Sequence, residues 1–163
     1  RNVSVRRHWP STLSVEIEEH QALARWGDIA LVNTYGELFH GASDADLPIF
    51  YGAGNAVKAV GEHYVQFEKV LNRMDMKAAQ VKLSSRLAWE IKTDKNVVIF
   101  LGRENMTARL NQFSVAYQTV LRHLNTTIQY ADLRYPNGFA VRQTKKLSMK
   151  VSPLTLNKVI NKA

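Results

Sequence analysis

At 163 residues, the chain is long enough for one domain with a substantial core, or for one domain and a fragment of another. It contains no cysteine, which excludes disulfide scaffolds, thiolate zinc sites and cysteine nucleophiles. The formal net charge is +8, but residues 133–163 carry seven basic residues and no acid, so most of the excess lies at the C-terminal end. This distribution favours an acidic partner or anionic lipid over nucleic acid, because nucleic-acid-binding domains usually carry basic and aromatic residues on the folded body.

The first 40 residues alternate between apolar and polar side chains, a pattern typical of half-buried strands. We predict strands at 3–7 and 13–18, with a continuation at 22–26 and a hairpin around Tyr35-Gly36. The chain contains no run of about 20 apolar residues and no visible signal peptide. Because it starts at Arg1, without Met and inside a strand-like run, we expect that an N-terminal part precedes it.

The segment 47–61 is similar to the start of a dinucleotide-binding unit. An apolar run is followed by Gly52-Ala53-Gly54 and a predicted helix over 56–74. However, Val57 occupies the third glycine position, and the later strands lack the repeated βαβ rhythm of a parallel sheet. We therefore interpret the glycines as a tight entry to an ordinary helix and expect no cofactor. The predicted buried stripe of this helix is Val57, Val60, Tyr64, Phe67 and Leu71.

The second half of the chain predicts three strands and another helix. The strands are at 76–83, 88–93 and 97–101, and the helix covers 106–124. The predicted buried stripe of this helix is Leu110, Phe113, Tyr117, Val120 and Leu124. Together the pattern predicts an α+β fold, with a mostly antiparallel β-sheet and two amphipathic helices packed on it.

The closing segment predicts a hairpin with an exposed edge. Two strand-like runs, 126–135 and 139–142, flank Pro136-Asn137-Gly138, and Asn-Gly is the strongest short hairpin signal. Only a basic tail follows, so the last strand is a candidate docking edge for another chain. The sequence leaves open the simpler possibility that this strand merely completes the sheet. Arg134 and Tyr135, residue types enriched at interface hot spots, favour docking.

No residue pattern indicates enzyme chemistry. Neighbouring side chains in the Glu18-Glu19-His20 cluster would point to opposite faces of a strand, so they cannot share one metal ion. Asp44 and Asp46 lack further carboxylates at calcium-loop spacing, and no Ser lies in a G-x-S-x-G elbow. We predict no catalytic or metal site. The five histidines lie far apart and form no ligand pair: His8, His20, His40, His63 and His123.

Four segments, in order, resemble the FtsQ/DivIB family of bacterial cell-division proteins. The segment DLRYPNGFAVR at 132–142 is similar to the C-terminal end of that family. Residues 5–26 resemble the last strands of its POTRA domain, and residues 86–91 and 101–113 resemble the middle of its β domain. The resemblance implies three parts: the C-terminal strands of a truncated POTRA domain at 1–25, a β domain at 26–143, and a basic tail at 144–163.

The resemblance further implies a non-enzymatic scaffold of the division machinery. Such a protein lies in the bacterial inner membrane at the septum, with one transmembrane helix upstream of this chain and this portion in the periplasm. It links early and late division proteins and binds the FtsB–FtsL pair, partly by strand addition to its last strand. The FtsB–FtsL pair in turn feeds into septal peptidoglycan synthesis.

The resemblance also implies roles for individual residues. Arg86 and Arg134 match arginines that pair with acidic groups of the partner, and Tyr135 matches an aromatic contact. The implied partner-binding residues are Arg86, Arg134, Tyr135, Asn137, Gly138, Phe139, Ala140, Val141 and Arg142. Pro136 and the bulky Phe139 depart from the family pattern, which affects side-chain specificity more than strand addition.

An alternative interpretation is a POTRA-bearing component of polypeptide transport that also binds its clients by strand addition. That class should show several POTRA repeats upstream, whereas the FtsQ/DivIB family has one.

Overall fold

A computed structural model of the chain describes residues 2–9, 11–18, 21–124 and 126–145. A two-stranded antiparallel sheet pairs β1 (Asn2–His8) with β2 (Thr12–Glu18), as the alternating pattern predicts. His20, and the predicted tail beyond Lys145, lie outside the described residues.

The remaining strands form one nine-stranded sheet. The strands are β3 (Ala22–Trp26), β4 (Ala30–Asn33), β5 (Leu38–Phe39), β6 (Ile49–Tyr51), β7 (Ala78–Leu83), β8 (Trp89–Thr93), β9 (Val98–Gly102), β10 (Thr126–Asp132) and β11 (Ala140–Lys145). Their order is β11-β10-β9-β8-β7-β6-β3-β4-β5. Three neighbouring pairs are parallel (β9–β10, β6–β7 and β3–β6), and the other pairs are antiparallel. This arrangement confirms the predicted α+β class.

Two helices make crossovers between parallel strands. Helix α1 (Val57–Leu71) joins β6 to β7, and helix α2 (Met106–Thr119) joins β9 to β10. The prediction that the βαβ rhythm is absent is therefore wrong for these two units. A parallel pair needs a long crossover, and each helix supplies it, while the intervening strand β8 pairs in antiparallel fashion with both neighbours.

The helices bury one face of the sheet. Phe50, Phe67 and Phe113 are among the largest fully buried side chains of this core. The predicted stripe of α1 is confirmed, with Tyr64 packed at its margin. In α2, Leu110 and Phe113 are buried. Val120 and Leu124, however, are 55% and 43% exposed, so that part of the prediction is wrong.

The error in α2 has a backbone cause. The helix ends at Thr119, because Val120 (φ −125°, ψ −58°) leaves the helical region, and only the 3₁₀ turn Leu121–His123 follows. Residues beyond that break therefore no longer lie on the buried face of the helix, where the helical spacing of apolar residues had predicted them.

Strand β3 spans the predicted domain boundary at residue 25 and pairs with β4 and β6 inside the large sheet. The boundary itself stays a prediction. None of the helices within the described residues has the length and apolar character needed to cross a membrane.

Candidate protein-interaction site

Strand β11 forms one end of the nine-stranded sheet. It pairs with β10 in antiparallel register, from Asp132 opposite Ala140 to Thr126 opposite Lys145. No second strand pairs with β11 within the part of the chain that the structure describes. At the other end of the sheet, β5 has two residues, whereas β11 has six, so β11 is the longer edge. An edge strand of this length presents a row of backbone donors and acceptors to another chain.

The predicted hairpin is confirmed, but its connection differs from the prediction. The connection runs from 133 to 139, and Asn137 is not among the non-glycine residues with positive φ. A two-residue Asn-Gly turn would need positive φ at both positions. Pro136 removes one backbone donor and fixes its own φ near −65°, which suits a wider loop. Instead, the amide of Leu133 donates to the carbonyl of Phe100 (2.8 Å), which extends the contact with β9.

The side chains of the hairpin divide between the core and the surface. Phe139 packs edge-on against Phe113 of α2, with ring centroids 5.4 Å apart, and Val141 also packs against the core. Tyr135 is 56% exposed, and Ala140 and Arg142 are exposed on β11. The hairpin is thus anchored through one face, while its tip and its outer side chains face solvent.

The sheet topology brings distant arginines together at one end of the strands. Because β9 and β10 run parallel, Gly102 at the end of β9 lies near Arg134, which follows β10. Because β8 runs antiparallel to β9, Trp89 at the start of β8 pairs with Gly102. The turn before β8 therefore carries Arg86 to the same place. Leu87 in that turn has φ +59°, and its amide donates to the carbonyl of Ser84 (2.9 Å), so the turn is tight.

Arg86, Gly102 and Arg134 line a pocket of about 520 Å³. The charged side chains of its lining are Arg86, Arg103, Glu104, Arg109 and Arg134. The lining holds four guanidinium groups and one carboxylate, a composition suited to binding an acidic side chain, since arginine binds carboxylates through two parallel hydrogen bonds.

Glycine at position 102 is required by its backbone and by its neighbours. Its φ of +79° disfavours residues with a side chain. A Cβ there would lie 3.2 Å from Nη1 of Arg109 and 3.3 Å from Cγ of Arg134. Nη1 of Arg109 already donates to the carbonyl of Leu101 (3.1 Å), so the two arginines pack closely over this glycine.

Arg134 is held by Asp132. Its Nε donates to Oδ1 (2.8 Å) and its Nη2 to Oδ2 (2.6 Å), while its backbone amide also donates to Oδ1 (3.1 Å). Hydrogen bonds from the Arg134 side chain lower the pKa of Asp132, and this carboxylate in turn raises the pKa of Arg134. The Arg134 side chain is nevertheless 60% exposed, so it is ordered but still accessible to a partner.

Two of the predicted site residues, Arg86 and Arg134, line the same pocket although 48 positions separate them. Tyr135 directly follows Arg134 in the chain, and β11 begins after the loop, at Ala140. Our sequence-based prediction did not include Arg103, Glu104 and Arg109 as site residues. The sequence signal for these three residues is a polar turn that follows a buried strand and leads into a helix. Assigning them to the site also required the parallel pairing of β9 with β10, which brings this turn close to Arg134.

Comparison with known proteins first defines the class. The family described as "Cell division protein FtsQ/DivIB, C-terminal" matches residues 24–134. The match begins in β3 and includes Arg86 and Arg134, but it stops before β11. The mixed sheet with two crossover helices is therefore the C-terminal domain of a cell-division protein.

Full-length relatives agree with this class. "Cell division protein FtsQ" of Nitrosospira multiformis is 41% identical over 145 residues, which cover 89% of this chain and 61% of the relative. The proteins of the same name from Burkholderia pseudomallei and Neisseria gonorrhoeae are 40% and 36% identical, covering 87% and 86% of this chain and 60% and 59% of those relatives. The chain belongs to the FtsQ/DivIB family, and it spans about three fifths of the length of these relatives.

Proposed function

We propose that this chain is the periplasmic part of a non-enzymatic divisome scaffold that binds the FtsB–FtsL pair. In this proposal, a segment of FtsB adds as a strand to β11, and acidic side chains of the partner enter the arginine pocket. The whole protein would lie in the inner membrane at the septum, anchored by a transmembrane helix upstream of this chain, and would link early and late division proteins.

The observation that carries the proposal is the position of β11 next to the arginine pocket. A six-residue edge strand offers main-chain hydrogen bonds to any extended segment, whatever its sequence. Each such bond contributes about 0.5–1.5 kcal/mol net, so about four or five supply a few kcal/mol. Association costs consume much of this, so strand addition alone would give a weak complex.

Specificity would then come from side chains. The pocket contains four arginines and a single glutamate, which favours an acidic segment and disfavours a basic one. Tyr135, more than half exposed beside the pocket, offers an aromatic anchor for an apolar side chain of the partner. The exposed residues Asn137 and Gly138 would border the added strand at the hairpin tip.

The proposal is tested by calorimetric titration of this domain with a peptide from the periplasmic part of FtsB. Tyr135→Ala should weaken binding by about 2 kcal/mol or more, as truncation of a hot spot can. Its matched control is Tyr35→Ala, because Tyr35 is 66% exposed and lies between β4 and β5, at the opposite end of the sheet.

The charge is tested separately by reversal. Arg134→Glu should also weaken binding, but it places a carboxylate beside Asp132 and so affects stability as well. Arg86→Glu is cleaner, since Arg86 is exposed at the tip of a turn. Lys95→Glu, in the turn between β8 and β9, reverses a charge at the other end of these strands. If Tyr135→Ala and Arg86→Glu bind as tightly as their controls, the proposed interface is wrong.

A further inference from the structure

Two neighbouring aromatic rings, with an arginine at each end, form a row across the sheet face opposite the helices. Cζ of Arg134 lies 5.6 Å from the ring centroid of Phe100. The rings of Phe100 and Tyr130 meet edge-to-face, with centroids 6.1 Å apart and planes at 70°. Cζ of Arg142 lies 5.8 Å from the ring centroid of Tyr130. The row therefore runs from the arginine pocket to the edge strand.

Strand register explains this alignment. Tyr130 of β10 pairs directly with Arg142 of β11, and Asp132 of β10 pairs with Phe100 of β9. The neighbours of Phe100, Ile99 and Leu101, are fully buried beneath the helices, so Phe100 points to the opposite face. We name this row, Arg134–Phe100–Tyr130–Arg142, the arginine–aromatic row.

We propose that Phe100 and Tyr130 are positioning residues for partner binding, which orient the guanidinium groups of Arg134 and Arg142 toward an acidic strand added to β11. This inference rests on the proposed function. Arg142 lies on the edge strand itself, so its guanidinium group can meet a carboxylate on the added strand, just as Arg134 can in the pocket.

The physical basis is preorganisation. A free arginine side chain carries about 2 kcal/mol of rotamer entropy, part of which is lost when it binds a carboxylate. An aromatic ring that already restrains the guanidinium group reduces this loss on binding. Arg134 has a second restraint, the ion pair with Asp132. The side chain of Arg142 has no hydrogen bond or ion pair among the described residues, so its contact with Tyr130 matters more.

The test is titration with the same FtsB peptide. Tyr130→Leu and Phe100→Leu should each weaken binding about two- to fivefold, the factor that corresponds to an exposed cation–π contact. Tyr130→Phe and Phe100→Tyr keep the rings and should bind like the wild type. Tyr51→Leu removes an exposed ring from β6, which β7 and β8 separate from β9 in the same sheet, and should have no effect.

A double-mutant cycle separates positioning from general stability. Arg142→Ala, at an exposed position, should weaken binding by itself, and adding Tyr130→Leu should then cause little further loss. Equal additional loss in the Arg142→Ala background would overturn the inference, as would wild-type affinity of Arg142→Ala or of both leucine variants. If wild-type protein does not bind the peptide at all, the proposed function fails and the inference fails with it. Binding that is insensitive to these substitutions removes only the inference.

Discussion

Replacing Gly102 by alanine tests whether close packing of two arginines over the end of β9 matters for binding. The backbone at Gly102 has φ +79°, so alanine should cost about 1–2 kcal/mol of folding free energy. The new Cβ would lie 3.2 Å from Nη1 of Arg109 and 3.3 Å from Cγ of Arg134, so both side chains must move by a few tenths of an ångström. Hydrogen bonds to charged groups contribute about 1.5–3 kcal/mol, and loss of part of one should weaken binding of the FtsB peptide about fivefold or more.

Two other glycines separate the two effects. Gly27 also has positive φ (+51°), but a Cβ there would meet only Tyr51, at 4.0 Å, so Gly27→Ala should lose a similar amount of stability and keep its affinity. Gly54 has neither positive φ nor any atom within 4 Å of a Cβ, so Gly54→Ala should change neither property. Stability is measured by urea denaturation and affinity by calorimetry. If Gly102→Ala binds the peptide as tightly as Gly27→Ala, the arginine pocket does not contribute as proposed.

Three further predictions concern the core and the pH dependence of stability. Phe113→Ala should lower the free energy of unfolding, measured by urea denaturation, by about 3–5 kcal/mol and accelerate amide exchange in β11, because Phe113 is fully buried and packs on Phe139. The control is Val115→Ala on the same helix, which should cost almost nothing because Val115 is exposed. Because Arg134 lowers the pKa of Asp132, the native state binds fewer protons at this carboxyl group than the unfolded state does. The resulting stabilisation of the native state is present above the unfolded pKa of about 3.9 and is lost as the pH falls through the folded pKa. Asp132→Asn should remove that acid-dependent loss and cost about 0.2–1 kcal/mol at pH 7, and an unchanged acid profile would contradict this prediction. Burial raises the pKa of Glu68, so the native state binds more protons at this carboxyl group than the unfolded state does. Stability should therefore fall as the pH rises from the unfolded pKa of about 4.3 through the folded pKa. Glu68→Gln should abolish this decline; if its stability differs between pH 4 and pH 7 as much as that of the wild type, the prediction is refuted.

Sequence patterns alone predicted most elements of the fold. Period-2 alternation identified the strands at the N-terminus, and helical spacing identified α1, with Phe67 and Leu71 in its buried stripe. They also indicated that only a basic tail follows the last strand, and among the described residues no second strand pairs with β11. The second helix was predicted too long, since periodicity cannot detect the backbone break at Val120.

The composition of the arginine pocket depends on the tertiary structure and could not be predicted from the sequence. The resemblance supplied Arg86 and Arg134 as separate positions, but only the parallel pairing of β9 with β10 and the antiparallel pairing of β8 with β9 bring them to one pocket with Arg103 and Arg109. Likewise, the wide loop between β10 and β11 replaced the predicted Asn-Gly turn. Local sequence determines which segments are strands and which face they bury, because those preferences act between near neighbours. Which strand ends meet depends on the pairing and direction of strands that are far apart in the chain, and this is settled only when the whole sheet forms.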